Sequence, residues 1–125
     1  MRTIEFRGKR TDNGEWITGY VLFSKDNSEA VIAKLTDTES VCDNVDPSTV
    51  GQFTGLLDKH GKEIYEGDIV EFGNRIQGKS KVIFENGCFI ADAKNYATAF
   101  TYRVSIHANV IGNIHDNPEL MKKND

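Results

Sequence analysis

Hydrophobic and polar positions along the chain alternate with a period of two over short stretches, and turn chemistry separates those stretches. That is the signature of β-strands joined by tight turns. Ile4-Glu5-Phe6 opens a first strand, and Asp12-Asn13-Gly14 is a turn, since asparagine and glycine tolerate positive φ. Trp16 to Phe23 is rich in β-formers and reads as the returning strand. Lys25 to Ser28 turns the chain again, and Ala30 to Ala33 is a third short strand. Thr36 to Asp46 has little periodicity and four carboxylates (Asp37, Glu39, Asp43, Asp46), so it reads as an acidic surface loop closed by Asp46-Pro47.

Thr49 to Leu56 is the next strand, followed by Asp58-Lys59-His60-Gly61, with aspartate first and glycine fourth as a type I turn prefers. Glu63 to Tyr65 is short, Glu66-Gly67-Asp68 turns once more, and Ile69 to Phe72 is a strand before a polar loop from Gly73 to Gly78. Between Lys81 and Asp92, Val82-Ile83-Phe84 and Cys88-Phe89-Ile90 flank Asn86-Gly87, a strong two-residue hairpin signal. From Phe100 to Ile114 the even positions are mostly apolar, which predicts strand, with a break near Ala108-Asn109 or at Gly112 because the run is too long for one strand. Asn117-Pro118-Glu119-Leu120 places an N-cap, a proline and an acid where a short C-terminal helix begins. The fold class expected is all-β: several short antiparallel strands in a small barrel or two barrel-like halves, with that short helix at the end.

Length and composition fit this picture. The 125 residues suit a single domain spanning 1–125, and 38% hydrophobic with 27% charged residues is a globular balance. No apolar run approaches the ~20 residues of a membrane helix, and the N-terminus lacks a signal-peptide pattern, so the expected location is the cytoplasm. The formal net charge of −4 argues against bulk, nonspecific binding to nucleic acid or to an anionic membrane. A local patch could still form from Arg2, Arg7, Lys9 and Arg10; the plainer reading is a charged face on an edge strand, which blocks strand-to-strand aggregation. The two cysteines, Cys42 and Cys88, have no metal-ligand spacing and read as free thiols, Cys88 as a core residue.

Candidate chemistry is sparse. The acidic loop lacks the spacing and glycine of a calcium loop. His107 and His115 on one unbroken strand would stand ~26 Å apart, too far to share a metal. Asp58 and Asp68 read as turn carboxylates that accept bonds from their own backbone rather than as an acid-base pair. No catalytic residue, metal ligand or cofactor site is assigned. Most aromatics read as core, Phe84 and Phe100 among them. Trp16 and Tyr20 share a strand face and lie across a hairpin from Arg7, so Arg7, Lys9, Arg10, Trp16 and Tyr20 are the candidate binding residues.

Three blocks of sequence carry a family resemblance. They are Phe6-Arg7-Gly8-Lys9-Arg10 with Asn13-Gly14-Glu15-Trp16 and Gly19-Tyr20, then Val50 to Leu56 with Asp58-Lys59 and Gly61 to Val70, then Val110 to Ile114 with Asp116 to Leu120. In this order they resemble the YopX family of bacteriophage and prophage proteins. The resemblance implies a YopX-like all-β fold and a phage or prophage origin; it implies no assigned activity and no catalytic residues. Thr36 to Asp46 and Gly73 to Thr98 show no family pattern beyond the hairpin. Two functions follow as expectations: a non-enzymatic accessory protein that binds a protein partner, after self-association or without it, and, as the alternative, a small barrel that binds nucleic acid through its basic residues and aromatics.

Overall fold

The computed structural model describes residues 2–72, 78–93 and 96–121. They form eleven strands, one helical turn and two 3-10 turns, so the chain is all-β and antiparallel. Two compact units divide it, residues 1–53 and 54–125.

In the first unit β1 (Phe6–Lys9), β2 (Trp16–Phe23), β3 (Ala30–Leu35) and β4 (Ser40–Val45) follow as successive antiparallel neighbours, and β5 (Gly51–Leu57) begins on the other side of β1. The end of β4 comes back beside the end of β1. Arg10 bridges Val45, the Thr11 amide donates to Asn44 O at 3.1 Å and the Asp46 amide to Lys9 O at 2.8 Å. Ala30, Ile32 and Val45 form the core of this unit, with Phe6, Ile17, Val21 and Val50 packed against them. Gly8 lets β1 approach β4 closely: a Cβ there would stand 3.1 Å from Val45.

Two expectations about this unit are corrected. Residues 40–45 of the acidic segment are not loop but strand β4, paired with β3 along its whole length from Leu35↔Ser40 to Ala30↔Val45. Its acids mask the pattern, and two of them, Asp43 and Asp46, have a local task. The turn at Thr36–Glu39 is closed by Thr36 itself, whose hydroxyl donates to Glu39 O and accepts from the Glu39 amide. Asp43 faces Arg10, and Asp46 caps the 3-10 turn Pro47–Thr49 by accepting from the Ser48 amide. Nor is β1 an edge strand; it has β2 on one side and β5 on the other, through Arg7↔Gly51 and Phe6↔Gln52. It also begins later than expected, with Ile4 exposed ahead of it.

In the second unit the rest of β5 pairs with β6 (Glu63–Tyr65), where the Thr54 hydroxyl donates to Ile64 O at 2.8 Å. A five-stranded sheet follows in the order β10 (Tyr96–Ala99), β9 (Cys88–Ala93), β8 (Lys79–Glu85), β7 (Asp68–Phe72) and β11 (Ala108–Asn113). Ile64, Val70, Phe72, Val82, Ala91, Phe100 and Ala108 make its core. The hairpin β8–β9 turns at Asn86-Gly87, both at positive φ (53° and 82°), as the dipeptide predicts. The Asp58 turn also stands as predicted: the Gly61 amide donates to Asp58 O at 3.0 Å. Residues 73–77 of the expected polar loop lie outside the described residues.

Period two misleads in one place. Residues Tyr102–Ser105 form a helical turn, α1, rather than strand. Phe100, Val104 and Ala108 are four apart, so the same apolar positions satisfy a helical spacing. Tyr102 and Ile106, which a strand would have turned inward, are exposed. The strand starts only at Ala108 and shifts register between Val110 and Gly112, near the expected breaks. Phe100 is buried as expected, but Phe84 is 52% exposed, beyond the end of the core, where its ring meets Phe89 edge-on at 5.1 Å. Cys88 is likewise exposed, because its pairing with Glu85 places it beside the hairpin tip. Both cysteines are free thiols. The C-terminal helix is a 3-10 turn, Pro118–Met121, entered through Asn117.

Candidate functional site

The candidate residues converge on the first unit through pairing alone. β1 and β2 pair Lys9↔Trp16 and Arg7↔Thr18, and directly opposed residues of an antiparallel pair point to the same side. Ile17 and Val21 pack on the core, so Trp16, Thr18, Tyr20 and Leu22 face away from it. Arg7 and Lys9 both lie over the Trp16 ring, 4.6 and 5.7 Å from its centroid. Such a cation–π pair contributes about 0.5–2 kcal/mol and holds the cations flat along the sheet.

Arg10 does not join them. One residue further on, it alternates to the other face, where its guanidinium holds Asp12 through two hydrogen bonds of 3.0 and 2.7 Å and approaches Asp43 at 3.7 Å. The bond to Asp12 raises the Arg10 pKa, and the same bond keeps Asp12 below the usual carboxylate range. Of the five candidates, then, Arg7, Lys9 and Trp16 form one stack, Tyr20 continues its face, and Arg10 stands apart.

That face extends beyond the residues named from sequence. Tyr20 pairs with Ala33 and Leu22 with Val31, and Leu35 continues the row on β3. Tyr20, Leu22 and Leu35 are 59%, 63% and 73% exposed. Cys42, opposite Ala33, is exposed on the same side. The sequence carried a sign of this: Trp16 to Phe23 is apolar on both faces, where a strand with one wet face should alternate.

Beside this face lies a cleft of about 310 Å³ between the start of β2 and the β3–β4 hairpin, lined by Trp16, Ile17, Ile32, Val41, Lys34 and Asp43 among others. Gly19 lies at its inner end. Its φ is +155°, and it approaches β3 so closely that a Cβ would stand 2.3 Å from Ala33 O. The β2–β3 ladder runs from Phe23↔Ala30 to Tyr20↔Ala33 and stops there.

The second unit offers tightly satisfied carboxylates instead. Asp58 accepts from the amides of His60 (2.8 Å), Lys62 (2.9 Å) and Val110 (3.0 Å). Burial works to raise its pKa, but those amides outweigh it and the net shift is downward. Asp68, also buried, accepts from the Tyr65 amide at 2.8 Å. Both are structural turn carboxylates, as expected. His60 and His107 are exposed, and neither His107 nor His115 lies within β11. Among the described residues no three His, Cys, Asp or Glu side chains gather as a metal site would need. No helix among them is long and apolar enough to cross a membrane.

The fold and this surface define a small antiparallel all-β protein with an exposed apolar face. The family model described as YopX protein matches residues 5–122, and the chain belongs to the YopX family. Among solved structures, protein EF1440 from Enterococcus faecalis is similar, with a TM-score of 0.63, 25% sequence identity, and coverage of 98% of this chain and 100% of that one. Protein yopX from Bacillus subtilis has the same fold at a TM-score of 0.61 and 19% identity, with both chains fully covered. No curated protein matches the chain.

Proposed function

We propose that the chain is a phage or prophage accessory protein that works without catalysis, in the bacterial cytoplasm, by binding a protein through the outer face of β2 and β3. The observation that carries this reading is the row Tyr20, Leu22 and Leu35, three large apolar side chains more than half exposed on one sheet face. Contiguous exposed apolar surface is costly in water and marks interaction sites. The Arg7–Trp16–Lys9 stack at its border supplies the aromatic and arginine chemistry on which interfaces concentrate their binding energy. The same stack supports a protein partner better than a nucleic acid. Two cations cover the indole, and Arg10 is already engaged by Asp12 and Asp43, so a free ring beside a cationic stripe is not what these residues offer.

The test is capture from a bacterial host lysate near physiological salt, with wild type and a Leu22→Asp, Leu35→Asp double variant as parallel baits. Wild type is expected to retain a specific protein that the variant loses. Repeated recovery of nothing by wild type, or equal recovery by both, would sink the reading.

A further inference from the structure

We infer that the cleft at the β2–β3 fork is a strand-addition site, which takes an extended peptide segment of a partner with an apolar central residue and a carboxylate beside Lys34. The inference shares with the preceding reading the class of partner and the border residues Trp16 and Leu35; it uses the main chain and the cleft rather than the outer apolar face.

The main chain carries the argument. The Arg10 amide donates to Glu15 O at 2.9 Å, which fixes the phase of the β1–β2 ladder. Hydrogen-bonded pairs alternate along an antiparallel ladder. Gly8↔Ile17 and Phe6↔Gly19 are therefore the bonded pairs, and the amide and carbonyl of Thr18 point away from β1. The Ser24 amide, donating to Glu29 O at 2.9 Å, sets the same phase from the other end. Leu22 and Tyr20 bond to Val31 and Ala33, and Thr18 would bond next to Leu35. That pair is not in the ladder, which ends at Tyr20↔Ala33 beside Gly19. Thr18 thus presents a strand edge to the cleft, and Leu35 presents one between Lys34 and Thr36, which line it. An edge of this kind pairs with an extended chain, and the pockets beside it select alternate side chains.

The lining says what those side chains are. Ile17, Ile32 and Val41 make the walls apolar. Lys34 is the one cation among the lining residues, and the one anion, Asp43, already faces Arg10 at 3.7 Å. An acidic residue on the guest complements what is left. Trp16, the only tryptophan of the chain, lines the cleft and so reports its occupancy.

Selection of a random dodecapeptide display library on the full-length protein supplies the probe, and the enriched peptides are synthesised and titrated against Trp16 emission. Peptides alternating apolar and acidic residues are expected to enrich and to shift that emission. The Thr18 and Leu35 amide protons should become slow to exchange in the complex. N-methylation of the alternate peptide amides that face β2 or β3 should weaken binding about tenfold while leaving every side chain in place. Lys34→Glu should weaken it about threefold and Leu22→Asp not at all. The inference is overturned if no peptide enriches, if N-methylation leaves affinity unchanged, or if binding depends on Leu22 and leaves Thr18 and Leu35 exchange unaltered. Any of these outcomes leaves lysate capture that depends on Leu22 intact, so the two readings fall separately.

Discussion

Asp58 shows how a turn carboxylate legible in sequence is held in the fold by more backbone than its own turn supplies. It is buried, and three backbone amides point at it. Replacing it with alanine strands those donors and should cost about 3 kcal/mol, read as a loss in the urea midpoint. Its pKa is lower in the folded than in the unfolded chain, so its contribution is full above the ordinary aspartate value near pH ~4 and is lost as pH falls from there through the lower folded-state value. Asp58→Asn should therefore flatten the acid limb of a stability-against-pH curve; an unchanged limb would show that other groups govern it. Asp26 behaves likewise on the surface, where hydrogen bonds from Ser28 and Ser24 hold its pKa at about 2. Ser28→Ala should raise that value, which a carboxyl carbon NMR titration reads directly. Gly19 is the third such position. An alanine there meets both a positive φ and the Ala33 carbonyl, so Gly19→Ala should destabilise by at least about 2 kcal/mol in equilibrium unfolding.

Among the elements, those specified by neighbours in sequence were legible and those specified by distant partners were not. Asn86-Gly87 adopts the left-handed pair its hairpin needs, and Gly87→Ala, placing a Cβ at φ 82°, should cost about 1 kcal/mol without changing the strands that flank it. A circular dichroism spectrum superposable on wild type, with a lowered melting temperature, is the expected outcome. The Asp58 turn was legible for the same reason. Strand β4 was not, since its strand character comes from pairing with β3, while Asp43 within it serves an ion pair and Asp46 just beyond it a cap. Helical turn α1 was hidden because Phe100, Val104 and Ala108 fit two periods at once. The candidate site was half visible. Alternation places Trp16, Tyr20 and Arg7 on one face, but Arg10 leaves it by the same alternation, and the cleft depends on a break in pairing at Gly19 that no local pattern announces.

For the whole molecule, the question is whether the exposed apolar row serves the fold or something outside it. Ile32 and Leu22 lie on neighbouring strands of the first unit, and Leu22 is 63% exposed where Ile32 is 1% exposed. Ile32 belongs to the core with Ala30 and Val45, so Ile32→Ala removes packed methyl groups and should cost about 2–4 kcal/mol. Leu22→Asp and Leu35→Asp remove surface that the folded chain itself leaves in water, and should change stability by less than about 0.5 kcal/mol. Thermal unfolding of the three variants separates the alternatives. If the aspartate variants melt with wild type while the Ile32 variant melts early, the row contributes nothing to the fold of the isolated chain, and retaining three large apolar side chains there has a cost only a partner offsets. If the aspartate variants also melt early, the row is packing surface after all, and the case for this face as a binding site fails with it.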